Sequence, residues 1–200
     1  MENYIVLSGE VVSGFKYDHE VYGEKFYTFD LKVNRLSDAF DIIPVMVSER
    51  LVDVSNDMSG KFVKVKGEFR SYNKHMEEHC KLVLFAFAKN IEVEEETSNE
   101  NSAEFEGFVC KQPNYRKTPL GREIADLLLA VNRPYGKSDY IPLILWGRNA
   151  SYVADLPVGT KLNILGRVQS RKYNKHISET EVVEKTAYEV SVTRFSVVKE

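Results

Sequence analysis

Val131-Asn132-Arg133-Pro134-Tyr135-Gly136-Lys137-Ser138-Asp139-Tyr140-Ile141-Pro142 has an earlier counterpart, in which Val33-Asn34-Arg35 is followed by Ile43-Pro44 at the same spacing. Both matches are displaced by 98 positions (131 minus 33, 141 minus 43), as are Gly9/Gly107 and Gly23/Gly121. The offset becomes 99 at Gly60/Gly159 and Gly67/Gly166, and 101 where Tyr72-Asn73-Lys74-His75 returns as Tyr173-Asn174-Lys175-His176. A drift that grows only at turn-like positions is what loop insertions in a duplicated domain produce. The period is too long for a solenoid unit, so each copy should be a whole domain.

Working outward, both halves are short alternating runs rich in β-branched and aromatic residues, which favours strands. Strands are expected near 3–16, 24–35, 41–48, 61–72 and 80–93, and again near 103–112, 122–133, 139–146, 160–173 and 182–198. One helix per copy is expected between the third and fourth strands, on the spacing of Leu51, Val54 and Met58 and of Ala150, Val153 and Leu156. The fold class is therefore all-β: two tandem OB-fold barrels, each of five strands with a short helix between strands 3 and 4. Gly9, Gly107, Gly67 and Gly166 are expected bend or bulge points. The domains are expected at 1–93 and 103–200, joined by an acidic linker at 94–102.

The chain has 200 residues and a net charge of -3. Residues 1–102 carry 12 Lys+Arg against 19 Asp+Glu, a balance of -7, and residues 103–200 carry 15 against 11, a balance of +4. The cationic half is thus the better candidate for an anionic partner. No apolar run reaches the roughly 18 residues of a membrane helix, and the N-terminus lacks a secretion pattern, so a soluble cytoplasmic protein with no membrane partner is expected. Cys80 and Cys110 occupy non-corresponding positions, which argues against a disulfide framework.

In the expected strand 139–146, Ile141, Leu143 and Leu145 share one face, the barrel interior, while Tyr140, Pro142, Ile144 and Trp146 share the other. In the next strand Arg167, Gln169, Arg171 and Tyr173 fall together. Outward rings interleaved with guanidinium groups suit unpaired nucleic acid, because bases stack on rings while cations follow phosphates. An outward aromatic can equally be a cross-strand partner or part of a subunit interface. No Walker, G-x-S-x-G or Cys-x-x-Cys pattern stands out, so a binding protein rather than an enzyme is expected, with no cofactor. His75, His79 and Cys80 offer only three candidate ligands, and no metal is expected.

Arg116-Lys117-Thr118-Pro119-Leu120-Gly121, Leu129-Ala130-Val131-Asn132-Arg133, Tyr140 through Ala150, and Gly166-Arg167-Val168-Gln169-Ser170-Arg171 together resemble the bacterial single-stranded DNA-binding protein family. The resemblance covers nearly all of copy two and implies a non-enzymatic protein that coats single-stranded DNA in replication, recombination or repair. It places Tyr135, Tyr140, Trp146 and Tyr173 at base-stacking positions. Arg116, Arg122, Arg148, Arg167, Arg171 and Lys172 are the expected phosphate contacts. Family members act as four OB domains, so two-domain chains are expected to form homodimers. The family's acidic C-terminal tail has no counterpart after Lys199-Glu200, and partner recruitment by that route is not expected. Copy one has Ser37, Ile42 and Ser48 where copy two has Tyr135, Tyr140 and Trp146; Phe40, Lys64, Lys66, Arg70 and Tyr72 form its expected secondary binding face. A primosomal-type assembly module and an RNA-binding OB protein remain open as alternatives.

Overall fold

The computed structural model describes residues 3–75, 80–176 and 182–198. His79 and the last two residues, on which two of the expectations above bear, lie outside them. The first repeat forms β1 (Asn3–Val11), β2 (Lys16–Val21), β3 (Glu24–Asn34), β4 (Phe40–Ser48), β5 (Phe62–His75) and β6 (Cys80–Glu94). The second forms β7 (Asn101–Val109), β8 (Asn114–Lys117), β9 (Glu123–Arg133), β10 (Lys137–Trp146), α1 (Arg148–Ala154), β11 (Lys161–His176) and β12 (Val182–Val197).

Each repeat closes on itself as a barrel. In the first, β1 pairs with β3 and β5, β3 with β4, β5 with β6, and a parallel β4–β6 pairing completes the ring. The second closes in the same way through β7, β9, β10, β12 and β11. The interiors are aliphatic: Ile5, Leu7, Leu31 and Ile43 fill one, and Leu129, Ile141, Leu143 and Leu145 the other, all buried. Each such side chain contributes roughly 1.5–3 kcal/mol of transfer free energy. The repeated glycines stand where strands cross closely. A Cβ on Gly9 or Gly107 would strike the carbonyl of Lys32 or Ala130, and one on Gly67 or Gly166 that of Phe87 or Ser191. The ladder register shifts at Gly67 and Gly166, so these two are bulges, as the repeat suggested.

Two expectations need correction. Each first strand is shorter than expected and is followed by an extra edge strand, β2 or β8, paired to β3 or β9, so each copy has six strands rather than five. The breaks fall at Ser13-Gly14 and at Pro113, which has no N–H to continue a ladder. The helix expected over Leu51, Val54 and Met58 is absent, and residues 49–60 form turns. There the Asp53 carboxylate accepts hydrogen bonds from the Ser55 N–H (3.0 Å) and hydroxyl (2.6 Å), and Asp57 accepts the same pair from Ser59. These side chains offer the backbone a local alternative to the helix. In copy two the 98-residue offset sets Ser151 against Asp53, and Asp155, the counterpart of Asp57, follows the helix as its C-cap, so α1 forms with Ala150 and Val153 buried.

The barrels are joined edge to edge, β1 antiparallel to β7 with Ile5 opposite Ala103, giving one continuous sheet of 12 strands. Corresponding side chains secure the junction from both sides. Asp41 accepts hydrogen bonds from the Ser170 N–H (2.7 Å) and hydroxyl (2.8 Å), while Asp139 accepts one from the Ser71 N–H (2.7 Å). Within each barrel, Asn3 and Asn101 bracket the backbone of the strand beyond the bulge, Asn3 bonding to both N–H and C=O of Phe69, and Asn101 to both of Val168. No helix among the described residues is long and apolar enough to cross a membrane.

Candidate nucleic-acid interface

Alternation along β10 turns Ile141, Leu143 and Leu145 into the barrel and leaves Tyr140 and Trp146 exposed on the outer face. Ile144, also on the outward side, is buried. Six residues of strand separate Tyr140 from Trp146 by about 20 Å, too far for one base to touch both. Tyr135 lies on the single 3₁₀ turn Pro134–Gly136, fully exposed and with a left-handed backbone (φ 66°). An aromatic residue in that region is held against its own preference, an arrangement that concentrates at functional sites. Tyr173, on β11, carries the Arg171 guanidinium 6.0 Å from its ring centroid. Tyr140 is secured by the other barrel: its N–H donates to the Ser71 hydroxyl (2.7 Å), and Ser71 is anchored on Asp139.

The expected phosphate contacts separate into two groups. Arg116 pairs with Asp126 (3.1 Å), Arg171 with Glu189 (3.6 Å) and Lys172 with Glu184 (2.8 Å). Arg122, Arg148 and Arg167 have no carboxylate partner among the described residues. Arg122 shares a concavity of about 500 Å³ with Trp146 and with Lys117, a cation the sequence reading passed over. Lys117 ends the edge strand β8, which that reading did not resolve, and β8 is what brings it there. Arg148 opens α1 directly after Trp146-Gly147. Arg167 lines a different cleft, of about 530 Å³, together with Arg35, Asn99 and Asn101 between the barrels.

In the first barrel the corresponding groups are engaged internally. Lys64 lies between Glu94 (3.2 Å) and Glu100 (3.3 Å), Lys66 pairs with Glu92 (2.8 Å), and Arg70 pairs with Glu68 while covering the Phe87 ring at 3.8 Å. Phe40 lies under Lys32, and Tyr72 meets the edge of Phe85. On β4, Ser48 is buried where β10 displays Trp146. Its aromatic side chains lie elsewhere: His19 stacks on Phe26 at 4.9 Å, and Phe26 adjoins Phe87 at 6.0 Å. Comparison of the copies hides this group, because the 98-residue offset that aligns Gly23 with Gly121 sets Phe26 against the aliphatic Ile124.

Residues 100–198 match the family model described as the single-strand binding protein family. The second domain of this chain belongs to the single-strand binding protein family. Among curated relatives, single-stranded DNA-binding protein 3 of Listeria innocua is 36% identical over 88 residues, covering 38% of this chain and 55% of that protein. The single-stranded DNA-binding protein of Halalkalibacterium halodurans is 34% identical over 77 residues, covering 35% and 46%. The chain thus spans about half the length of the curated relatives it matches. At the level of fold the likeness extends to both barrels. The wild-type single-stranded DNA binding protein of Thermus aquaticus superposes with a TM-score of 0.77 at 19% identity, covering 99% of this chain and 93% of that one. The matched segment contains all four outward aromatics and the cations around them.

Proposed function

We propose that this protein binds single-stranded DNA without sequence preference and without a catalytic step, protecting exposed strands in replication, recombination or repair on the cytoplasmic nucleoid. The observation that carries the reading is the outer face of the second barrel, where Trp146 shares its concavity with Lys117 and Arg122, and Tyr135, Tyr140 and Tyr173 stand exposed. Bases stack on the rings while the cations follow the phosphates, each stacked base being worth about 1–3 kcal/mol. Residues 103–200 act as the principal binding domain. Residues 1–93, whose Lys64, Lys66 and Arg70 are ion-paired, chiefly hold the particle together, and two chains associate to supply four barrels.

Binding of labelled oligo-dT in a salt titration tests this reading. Affinity is expected to fall steeply with salt, and Arg122→Ala to reduce the slope of log K against log salt by about 0.7, the value for one phosphate contact on a single strand. No binding at low salt would remove the proposal. Equal affinity for oligo-U would turn it toward RNA, since stacking alone does not distinguish the sugar.

A further inference from the structure

Two grooves on the outer surface share a wall. The larger, of about 430 Å³, passes Tyr173, Pro142 and Tyr188 of the second barrel and Leu82 of the first. The smaller, of about 170 Å³, passes Tyr72, Phe85 and Lys16 of the first barrel. Pro44, Val83 and Leu84 line both, so the two form one trough that crosses from barrel to barrel. Tyr173 lies in one arm and its repeat counterpart Tyr72 in the other. Of the four stacking positions, this is the one at which both copies keep an aromatic ring.

Resting on the reading above, we propose that a single strand leaving the second barrel crosses to the first along this trough, with Tyr173 and Tyr72 as platforms in its two arms and Lys81 and Lys185 contacting its phosphates. The chemistry of the walls fits that occupant. Prolines, leucines and tyrosines accept the faces of bases, while both lysines line the larger arm. Neither lysine has a carboxylate partner among the described residues, unlike Lys64 and Lys66 on β5. A purely apolar peptide would have no use for two cations in the wall. Asp18 and Asp30 line the smaller arm, so the phosphates follow the Lys81–Lys185 side and only bases reach toward Tyr72. Domain one then contributes a crossing rather than a second copy of domain two's surface.

The test compares the full chain with its Tyr72→Ala/Lys81→Glu variant on two oligo-dT lengths, one of about 10 nucleotides, within reach of a single OB barrel, and one of about 30, enough for more than one. Both substituted side chains are exposed, so the barrel cores are untouched. The expected result is at least a roughly fivefold loss of affinity for the longer strand and a clearly smaller loss for the shorter. Equal effects on both lengths, or none on either, would overturn the crossing while leaving single-strand binding intact. A variant that changed the sedimentation coefficient but not the affinity would also overturn it, by making the trough a contact between protein chains. Failure of the unsubstituted protein to bind either length would instead remove the underlying reading, and the crossing with it.

Discussion

Asp41 and Asp139 hold corresponding positions in the two barrels and both are buried, yet their surroundings act on them in opposite directions. Burial pushes the Asp41 carboxyl upward, but hydrogen bonds from Arg35, bidentate at 2.8 and 2.6 Å, and from Ser170 outweigh it and hold the group below the usual carboxylate range. Burial also pushes Asp139 upward, and there the Ser71 N–H and the Arg133 charge do not compensate. Arg133 Nε stands 3.2 Å from Asp139 Oδ2 without hydrogen-bond geometry, leaving both atoms buried and unpartnered among the described residues. A depressed pKa supplies stability above the ordinary carboxylate range, lost as pH falls through the folded value. A raised one supplies stability at low pH, lost as pH rises through the folded value. Asp41→Asn is therefore expected to cost about 2 kcal/mol at neutral pH, and Asp139→Asn, which keeps an acceptor for Ser71, to be neutral or stabilising. Urea unfolding checks both, and the gap between the variants should narrow by about pH 3; a larger cost for Asp139→Asn would contradict this assignment. Tyr140 and Trp146 were legible in the sequence because a period of two is local. The hydrogen bond from Tyr140 to Ser71 was not, because 69 residues separate the partners and nothing in either neighbourhood encodes the docking of the barrels.

Among the elements, the glycine bulges and the edge strands decide how faithfully the two copies repeat. The recurrence of Gly67 as Gly166 marked a position where only hydrogen fits, and the carbonyls that approach there supply the reason. Gly166→Ala should force β11 and β12 apart beside the Asn101 bracket, at a cost of about 1–3 kcal/mol typical of overpacking. Thermal unfolding measures it, and an unchanged midpoint would mean that the bulge can relax. The helix of the first copy shows where pattern reading ended. Leu51, Val54 and Met58 have helical spacing, but Asp53 and Asp57 take up nearby N–H groups, and a hydrophobic period carries no information about that competition. The edge strands β2 and β8 escaped notice because they are short and exposed, without a buried face to impose alternation.

For the whole molecule, the charge asymmetry between the halves gains a structural form. Glu68, Glu92, Glu94 and Glu100 of the first half pair with that half's own Arg70, Lys66 and Lys64, whereas the second half leaves several cations beside its exposed rings. Composition showed the imbalance, but not that Glu92 and Glu94 sit across the strand from Lys66 and Lys64. A four-barrel particle built from two chains predicts a dimer in sedimentation equilibrium at micromolar concentration, and a stable monomer or a tetramer would contradict that assembly. The central claim, that the outer face of the second barrel stacks bases, bears most directly on Trp146, the chain's single tryptophan. Stoichiometric oligo-dT should quench its fluorescence, and Trp146→Ala should weaken binding of a labelled strand by about 1–3 kcal/mol. Tight binding with neither quenching nor loss of affinity in the variant would contradict the claim.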